Sequence, residues 1–375
     1  MAEYYSNSIS RSRRRKRWSY SRKELLRLVL DLFMTLAMAL LAFCSISIIA
    51  CQYVSPEKSG ILSILSLGAP IIYLLDLVVM FYWIVRWRWI RALVMVAIVA
   101  VGLFYVSRYY KINFDRQYNV VYDEREYTKV MTYNVKVGRT PDLATYIEKH
   151  NPDVLCVQEI ATVGESWDAL DGKYHTTKQL IKEGEESSDN HILSKYPILR
   201  MGDIEDLPRK NGVWVDLKIE DDTVRVISLH LQSTSISPED TKFIEGHEYL
   251  HDKERDNKVR SITGRLVENN ISRAKQAERV AKFLGETPYK TIVCGDFNDV
   301  PLSYTYHTIA KNLDDTFSKM ANGFAYTYKT KYRLLRIDHI MVSPSIQVAS
   351  YEVDNKVEIS DHYPVISRLK VGTNK

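Results

Sequence analysis

Eight polar side chains stand at or near the ends of apolar, β-branched runs, where a hydrophobic core has no use for them. They are Asn134 after KVMTY, Glu159 after VLCVQ, His230 within ISLHLQS, Asp296 and Asn298 in CGDFND, Asp338 in RIDHI, and Asp361 with His362 in SDHYP. Singly, each has an ordinary structural use, because Asn and Asp close turns, Glu tolerates a solvated strand end and a lone His packs in a core. Together they offer four carboxylates, two amides and two imidazoles to any rim where adjacent strand ends converge. Oxygen ligands without thiolates suit Mg²⁺ or Mn²⁺ better than zinc. Such an ion offsets charge on a phosphate and its leaving oxygen, while a carboxylate and an imidazole handle the attacking water. This set therefore predicts phosphoester hydrolysis.

The elements that must position these groups alternate along the C-terminal two thirds of the chain. Residues 129–133, 154–158, 213–219, 224–231, 291–294 and 337–342 read as strands, and 141–150 and 271–284 carry helical periodicity. Strands mixed with helices predict a layered α/β domain with two sheets faced by helices. Cys156 and Cys294 fall on central strands and read as small buried hydrophobes. The polar segment 233–270 reads as a solvated loop or, alternatively, as a lid at the rim of the site. Its His247 and His251 are too few to define a metal site without a third ligand.

The N-terminal third has a different character. Up to residue 114 it holds 15 Lys/Arg and 5 Asp/Glu, a balance of +10, whereas 115–375 holds 36 and 41, a balance of −5. A basic tail, 1–23, with Arg11, Arg13, Arg14, Arg15, Lys16 and Arg17, precedes a region at 24–110 with apolar runs at 28–50, 60–85 and 89–107. Each run approaches the ~20 residues that span a bilayer as a helix. The first also resembles a signal sequence, but it is long for one and ends without a small-x-small site. Lys and Arg mark the cytoplasmic side. The tail and the connection with Arg86, Arg88 and Arg91 then lie inside, which predicts a multi-pass cell-membrane protein whose remaining chain is extracytoplasmic. Asp31, one turn after Arg27, reads as half of an interfacial ion pair, and Asp76 as paired within the bundle. Trp83, Trp87 and Trp89 read as an interface belt.

The order TYNV, VQE, GDFN and SDHYP resembles the endonuclease/exonuclease/phosphatase superfamily over about 128–370. HILSKYPI at 191–198 is similar to that family's usual core strand, and Arg273 with Gln276 to a helix before GDFN. The resemblance implies a four-layered α/β sandwich, two packed sheets flanked by helices, at 128–375 after a linker at 111–127. It implies that Glu159 is the principal Mg²⁺ (or Mn²⁺) ligand, with Asn134 beside it and Asp361 contributing directly or through water. It further implies that Asp296 aligns or deprotonates the water and that Asn298 and His230 contact the phosphate. His362 would act as acid or base, held in its tautomer by Asp338.

With 375 residues and 46% hydrophobic side chains the chain is neither disordered nor collagen-like, and 4 Cys exclude a disulfide-dense scaffold. The reading is a membrane-anchored phosphodiesterase or phosphatase acting on a small phosphoester, a lipid headgroup or nucleic acid, with the bilayer as a second partner. A nuclease is the first alternative, which the acidic balance of the domain opposes mildly. A non-catalytic binding or signalling module on the same fold is the second.

Overall fold

Side-chain alternation along the strands decides the layering. In the run TKVMTYN, Val130 faces one apolar cluster and Met131 the other, and in DTVRVISLH the pair Val224 and Val226 opposes Ile227 and Leu229. Strands apolar on both faces must be covered on both sides. The computed structural model describes residues 21–113, 126–136, 141–160, 165–170, 172–180, 190–244, 246, 252–330 and 333–372. The basic run at 11–17, most of the expected linker, and His247 and His251 lie outside the described residues.

The chain opens with α1 (Arg22–Cys51), α2 (Gly60–Leu65), α3 (Ala69–Val85) and α4 (Trp89–Val106). There follow β1 (Tyr110–Lys111), β2 (Thr128–Asn134), α5 (Pro141–His150), β3 (Val154–Gln158), α6 (Glu165–Leu170), β4 (His175–Thr176), β5 (Asn190–Ser194) and β6 (Ile198–Asp203). Next come β7 (Gly212–Ile219), β8 (Asp222–His230), α7 (Pro238–Ile244), α8 (Asp252–Gly285), β9 (Lys290–Asp296) and α9 (Tyr304–Ile309). The chain closes with β10 (Asp314–Asp315), α10 (Thr316–Met320), β11 (Gly323–Phe324), β12 (Asp338–Val342), β13 (Gln347–Val353) and β14 (Val365–Lys370).

Two 6-stranded sheets form, in the orders β13-β14-β2-β3-β5-β4 and β10-β12-β9-β8-β7-β6. Their inner faces share one core, in which Val130, Val154 and Ile192 of the first meet Val215, Val226 and Ile340 of the second. Cys156 and Cys294 are free and buried in that core, as their strand positions predict. Helix α5 packs outside the first sheet through Leu143 and Ile147, and α8 and α9 outside the second through Ala277, Val280 and Ile309. The fold is thus the four-layered α/β sandwich expected.

Two expectations for the sandwich need correction. The segment 233–270 is largely helical, because α8 begins at Asp252 and not near Ile271. Ile262, Leu266, Asn270, Arg273, Ala274, Ala277 and Val280 are buried along one stripe, which dense charge on the other face conceals in the sequence. HILSKYPI is two strands, because β5 belongs to the first sheet and β6 pairs with β7 in the second, the chain crossing at Tyr196 and Pro197.

Three helices are long and apolar enough to cross a membrane, Arg22–Cys51, Gly60–Val85 and Trp89–Val106. Asp31 pairs not with Arg27 but across the bundle with Arg86, at 2.9 Å to each carboxylate oxygen, and accepts a hydrogen bond from Tyr82. Its side chain is buried against the α3–α4 connection, where Arg88 also lies 3.8 Å away. Asp76 accepts a hydrogen bond of 2.6 Å from Ser45, again across helices. Trp83 is fully buried in the bundle with Arg91 over its ring, so only Trp87 and Trp89 are exposed enough to serve as a belt.

One backbone position binds this scaffold to the rim. Gly295 has φ +135°, and a Cβ there would meet the Leu229 carbonyl oxygen at 1.9 Å. Gly295→Ala is therefore expected to lower the unfolding midpoint of the detergent-solubilised protein by at least about 5 °C, read by thermal scanning. An unchanged midpoint would contradict the close approach of β8 and β9.

Candidate active site

Strand register brings the eight polar groups to one end of the sandwich. In the second sheet β8 and β9 run parallel and β12 antiparallel, so His230, Asp296 and Asp338 are direct partners on three adjacent strands. In the first sheet β2 and β3 run parallel with Asn134 opposite Gln158, which puts Glu159 one residue beyond the same edge. β14 runs antiparallel to β2 with Val365 opposite Thr132, so the residues that precede it, Asp361 and His362, return to that edge. The Ser360 hydroxyl secures the return by donating to the Asn134 carbonyl at 2.8 Å.

Side chains from the two sheets then meet. The Asn134 amide nitrogen donates to Glu159 Oε1 at 3.0 Å and to Asp296 Oδ2 at 3.1 Å, while its oxygen accepts from the Lys136 backbone. Asn298 donates from its side chain to Asp296 Oδ2 at 3.2 Å and to the Leu231 carbonyl, and its backbone donates to Asp296 Oδ1 at 2.8 Å. His230 Nε2 lies 3.6 Å from Glu159 Oε1. His362 Nε2 lies 3.7 Å from Asp296 Oδ2, and Nδ1 faces Asp338 Oδ2 at 2.9 Å. Glu159 and Asn298 both hold left-handed backbone, φ 57° and 52°. For Glu this costs about 1 kcal/mol, the kind of strain that collects at functional sites.

The electrostatics follow from burial among acids. Burial alone would keep His362 neutral, but Asp338 and then Asp296 outweigh it and hold the imidazole protonated well above its ordinary range. Burial likewise raises Tyr328, whose ring lies 4.9 Å from that of His362, and Asp361 adds to the shift, so its hydroxyl stays a donor. Lys136 is held charged by its contact with Asp361, 2.6 Å away.

The donor set fits a hard divalent cation. Glu159 is a partly exposed carboxylate whose Oε2 takes no hydrogen bond from the described residues. Asp361 stands beyond it at the exposed side of the rim. Asp296, Asp338 and His362 also offer ligand atoms within 4.8 Å of one another. There, however, both Asp338 oxygens face His362 Nδ1, at 3.2 and 2.9 Å, so that acid is already engaged by the imidazole.

Several supporting residues carry no signal in the sequence. Thr327 accepts from the backbones of Ile337 and Asp338 at 3.0 Å, setting the start of β12. Lys136 and Tyr328 come from loops whose residue types are unremarkable. Arg273, read only through resemblance, is buried on α8, 3.5 Å from Asp299, and donates to the Gln232 carbonyl and to Asn270. Gln276 accepts from the Gln232 backbone at 2.8 Å. The pair thereby props the chain after β8 and the turn after β9 from behind.

A family model described as the endonuclease/exonuclease/phosphatase family matches residues 131–362, and one described as a domain of unknown function matches 31–109. No curated protein matches the chain. Similar solved structures include a humanized D. rerio TDP2, 14% identical with a TM-score of 0.47, covering 65% of this chain and 99% of that one. The 3′ phosphatase NExo from Neisseria, bound to a product DNA hairpin, is 20% identical with a TM-score of 0.45, covering 64% and 98%. The human Nocturnin catalytic domain with bound sulfate is 16% identical with a TM-score of 0.45, covering 65% and 94%.

Removing the Arg273 guanidinium leaves Asp299 buried without its cation. Arg273→Ala is expected to destabilise the protein by about 3 kcal/mol, and Arg260→Ala, on the exposed face of α8, to have an effect within about 0.5 kcal/mol. Equal effects of the two in denaturant titrations would remove Arg273 from its supporting place.

Proposed function

The chain belongs to the endonuclease/exonuclease/phosphatase family, and on that premise we propose that it is a membrane-anchored, divalent-metal-dependent phosphoester hydrolase. Its catalytic unit is 128–375 and its anchor 24–110. The single observation that carries the reading is the sharing of one Asn134 amide by Glu159 and Asp296, with His362 beside Asp296. Acids from both sheets are thereby collected next to an imidazole.

Glu159 would hold Mg²⁺ or Mn²⁺, with Asp361 reaching it directly or through water and Asn134 fixing the Glu159 carboxylate. When bound, the ion supplies charge neutralisation for a phosphate oxygen and the leaving oxygen. Asp296, steadied by Asn298, is placed to orient a water and accept its proton. Asn298 and His230 then present donors to the phosphate oxygens, where negative charge rises in the transition state. His362, with Nδ1 bound to Asp338, keeps Nε2 toward the site, where it can donate to the phosphoryl group or the leaving oxygen.

Orientation is part of the proposal. Asp31 ties the start of α1 to the α3–α4 connection, so Arg22, Lys23, Arg27, Arg86, Arg88 and Arg91 mark one end of the bundle. The catalytic unit packs at the other end, where Ile48 meets Val300. By the positive-inside rule the basic end is cytoplasmic and the catalytic unit extracytoplasmic.

Purified full-length protein in detergent should hydrolyse bis-p-nitrophenyl phosphate with Mg²⁺ or Mn²⁺ and stop with EDTA. His362→Ala and Glu159→Gln should each lower kcat by about 10²-fold or more. Hydrolysis indifferent to EDTA and to both substitutions would overturn the assignment.

A further inference from the structure

The spans do more than anchor the catalytic unit, because they pack against the rim that carries its site. Ile48 in the last turn of α1, Ala69 and Tyr73 in the first turns of α3, and Tyr109 just past α4 share one buried cluster with Val300, Leu302 and Ile337. Polar contacts fasten the same joint. Arg108 donates to the Gln52 side chain at 2.7 Å and to the Pro301 carbonyl at 3.3 Å. Arg336, fully buried and 2.9 Å from Asp315, donates to the Arg108 carbonyl at 3.0 Å. On the flank Asn270 of α8 donates to Ser63 at 2.7 Å, and Lys275 pairs with Glu57 at 2.9 Å.

These docking residues are chain neighbours of the site. Val300 lies two residues after Asn298, Ile337 immediately precedes Asp338, and Tyr328, at the edge of the cluster, carries the ring against His362. Two residues of extended chain reach no more than about 7 Å.

The length of α4, the shortest span, sets the height of this joint. Helix α4 has 18 residues, roughly 27 Å at about 1.5 Å per residue, against about 30 Å of hydrocarbon, while Arg22–Cys51 and Gly60–Val85, with 30 and 26 residues, are longer. Helix α4 has no length to spare, so its end lies at the edge of the hydrocarbon, and the residues packed there with Tyr109 lie at the level of the headgroups. Tyr110, Ile112 and Phe324 agree with that level, because they expose large apolar side chains beside the end of α4, where the short β1–β11 ribbon continues from it. Exposed aromatic and apolar groups of this kind settle at a membrane interface.

We propose that the substrate is a phosphoester carried by a membrane lipid, taken from the headgroup layer of the leaflet on which the catalytic rim is docked. This deepens the hydrolase reading and rests on it. A flexible tether would let the site turn to soluble substrates, but the buried joint at Val300 and Ile337 does not allow that rotation. A duplex nucleic acid would have to approach a rim packed on the helix ends, in a domain whose own balance is acidic.

Full-length protein in nanodiscs separates the possibilities. The substrates are bis-p-nitrophenyl phosphate, a bilayer mixture of phosphatidylcholine, phosphatidylethanolamine, phosphatidylglycerol and cardiolipin, the water-soluble dibutyroyl analogues of the same headgroups, and an oligonucleotide. At least one bilayer lipid should be cleaved with a rate per accessible molecule at least about tenfold above its dibutyroyl analogue. The double substitution Ile112→Ser and Phe324→Ser should lower lipid cleavage about tenfold and leave aryl phosphate hydrolysis unchanged. The inference is overturned if the aryl phosphate is cleaved while every bilayer lipid is refused, or if the soluble analogues or the oligonucleotide match the lipids. Failure on all substrates, aryl phosphate included, overturns the hydrolase reading and this inference with it.

Discussion

Like charge crowded at one rim is the constraint on which the rest of the structure depends. Glu159 and Asp296 share a single amide donor, and Asp338 and Asp361 flank the same imidazole-bearing turn. In a partly buried rim such carboxylates repel strongly. The amides of Asn134 and Asn298, the protonated His362 and the Lys136 ammonium offset part of that repulsion. Glu159 Oε2, at the exposed side, takes no hydrogen bond from the described residues. The sandwich is what makes the crowding possible. His230, Asp296 and Asp338 come from the second sheet and Asn134, Glu159, Asp361 and His362 from the first, so neither sheet alone assembles the set.

The N-terminal apolar helices obey the same physics. Asp31 and Asp76 are buried between helices; Arg86 and Tyr82 engage both oxygens of the first, while the second takes one hydrogen bond from Ser45 of α1 on Oδ2 and none on Oδ1 from the described residues. A carboxylate between apolar helices is costly unless it is paired, so the Asp31–Arg86 pair helps hold the helices as one body. That body meets the catalytic unit through Val300, Leu302 and Ile337. The loops that carry Asn298 and Asp338 therefore both line the polar rim and pack on the N-terminal helices.

The strands were legible because alternation and β-branching are local. Residues 129–133, 154–158 and 213–219 fall inside or on observed strands, and the layered class follows from their order. Helix α8 was legible only in its second half, because its buried stripe between Ile262 and Asn270 is sparse and set among charges. The two strands within 191–203 read as one feature, since a change of sheet leaves no periodicity behind. The catalytic candidates were legible as residue types at strand ends. The groups that prop them, Thr327, Tyr328, Lys136 and Ser360, were not, because threonine, tyrosine, lysine and serine occur throughout any chain.

The sequence by itself determined which segments are apolar enough to span a bilayer, which are strands, and which polar side chains stand where a core would exclude them. These are properties of neighbours along the chain, and composition and spacing record them directly. Only the tertiary structure decided that Asn134 joins Glu159 to Asp296, that Asp31 pairs with Arg86 and not Arg27, and that the spans dock on the catalytic rim. Those outcomes depend on strand register and on the packing of faces far apart in the chain, where contact distance, and not sequence distance, sets the energy.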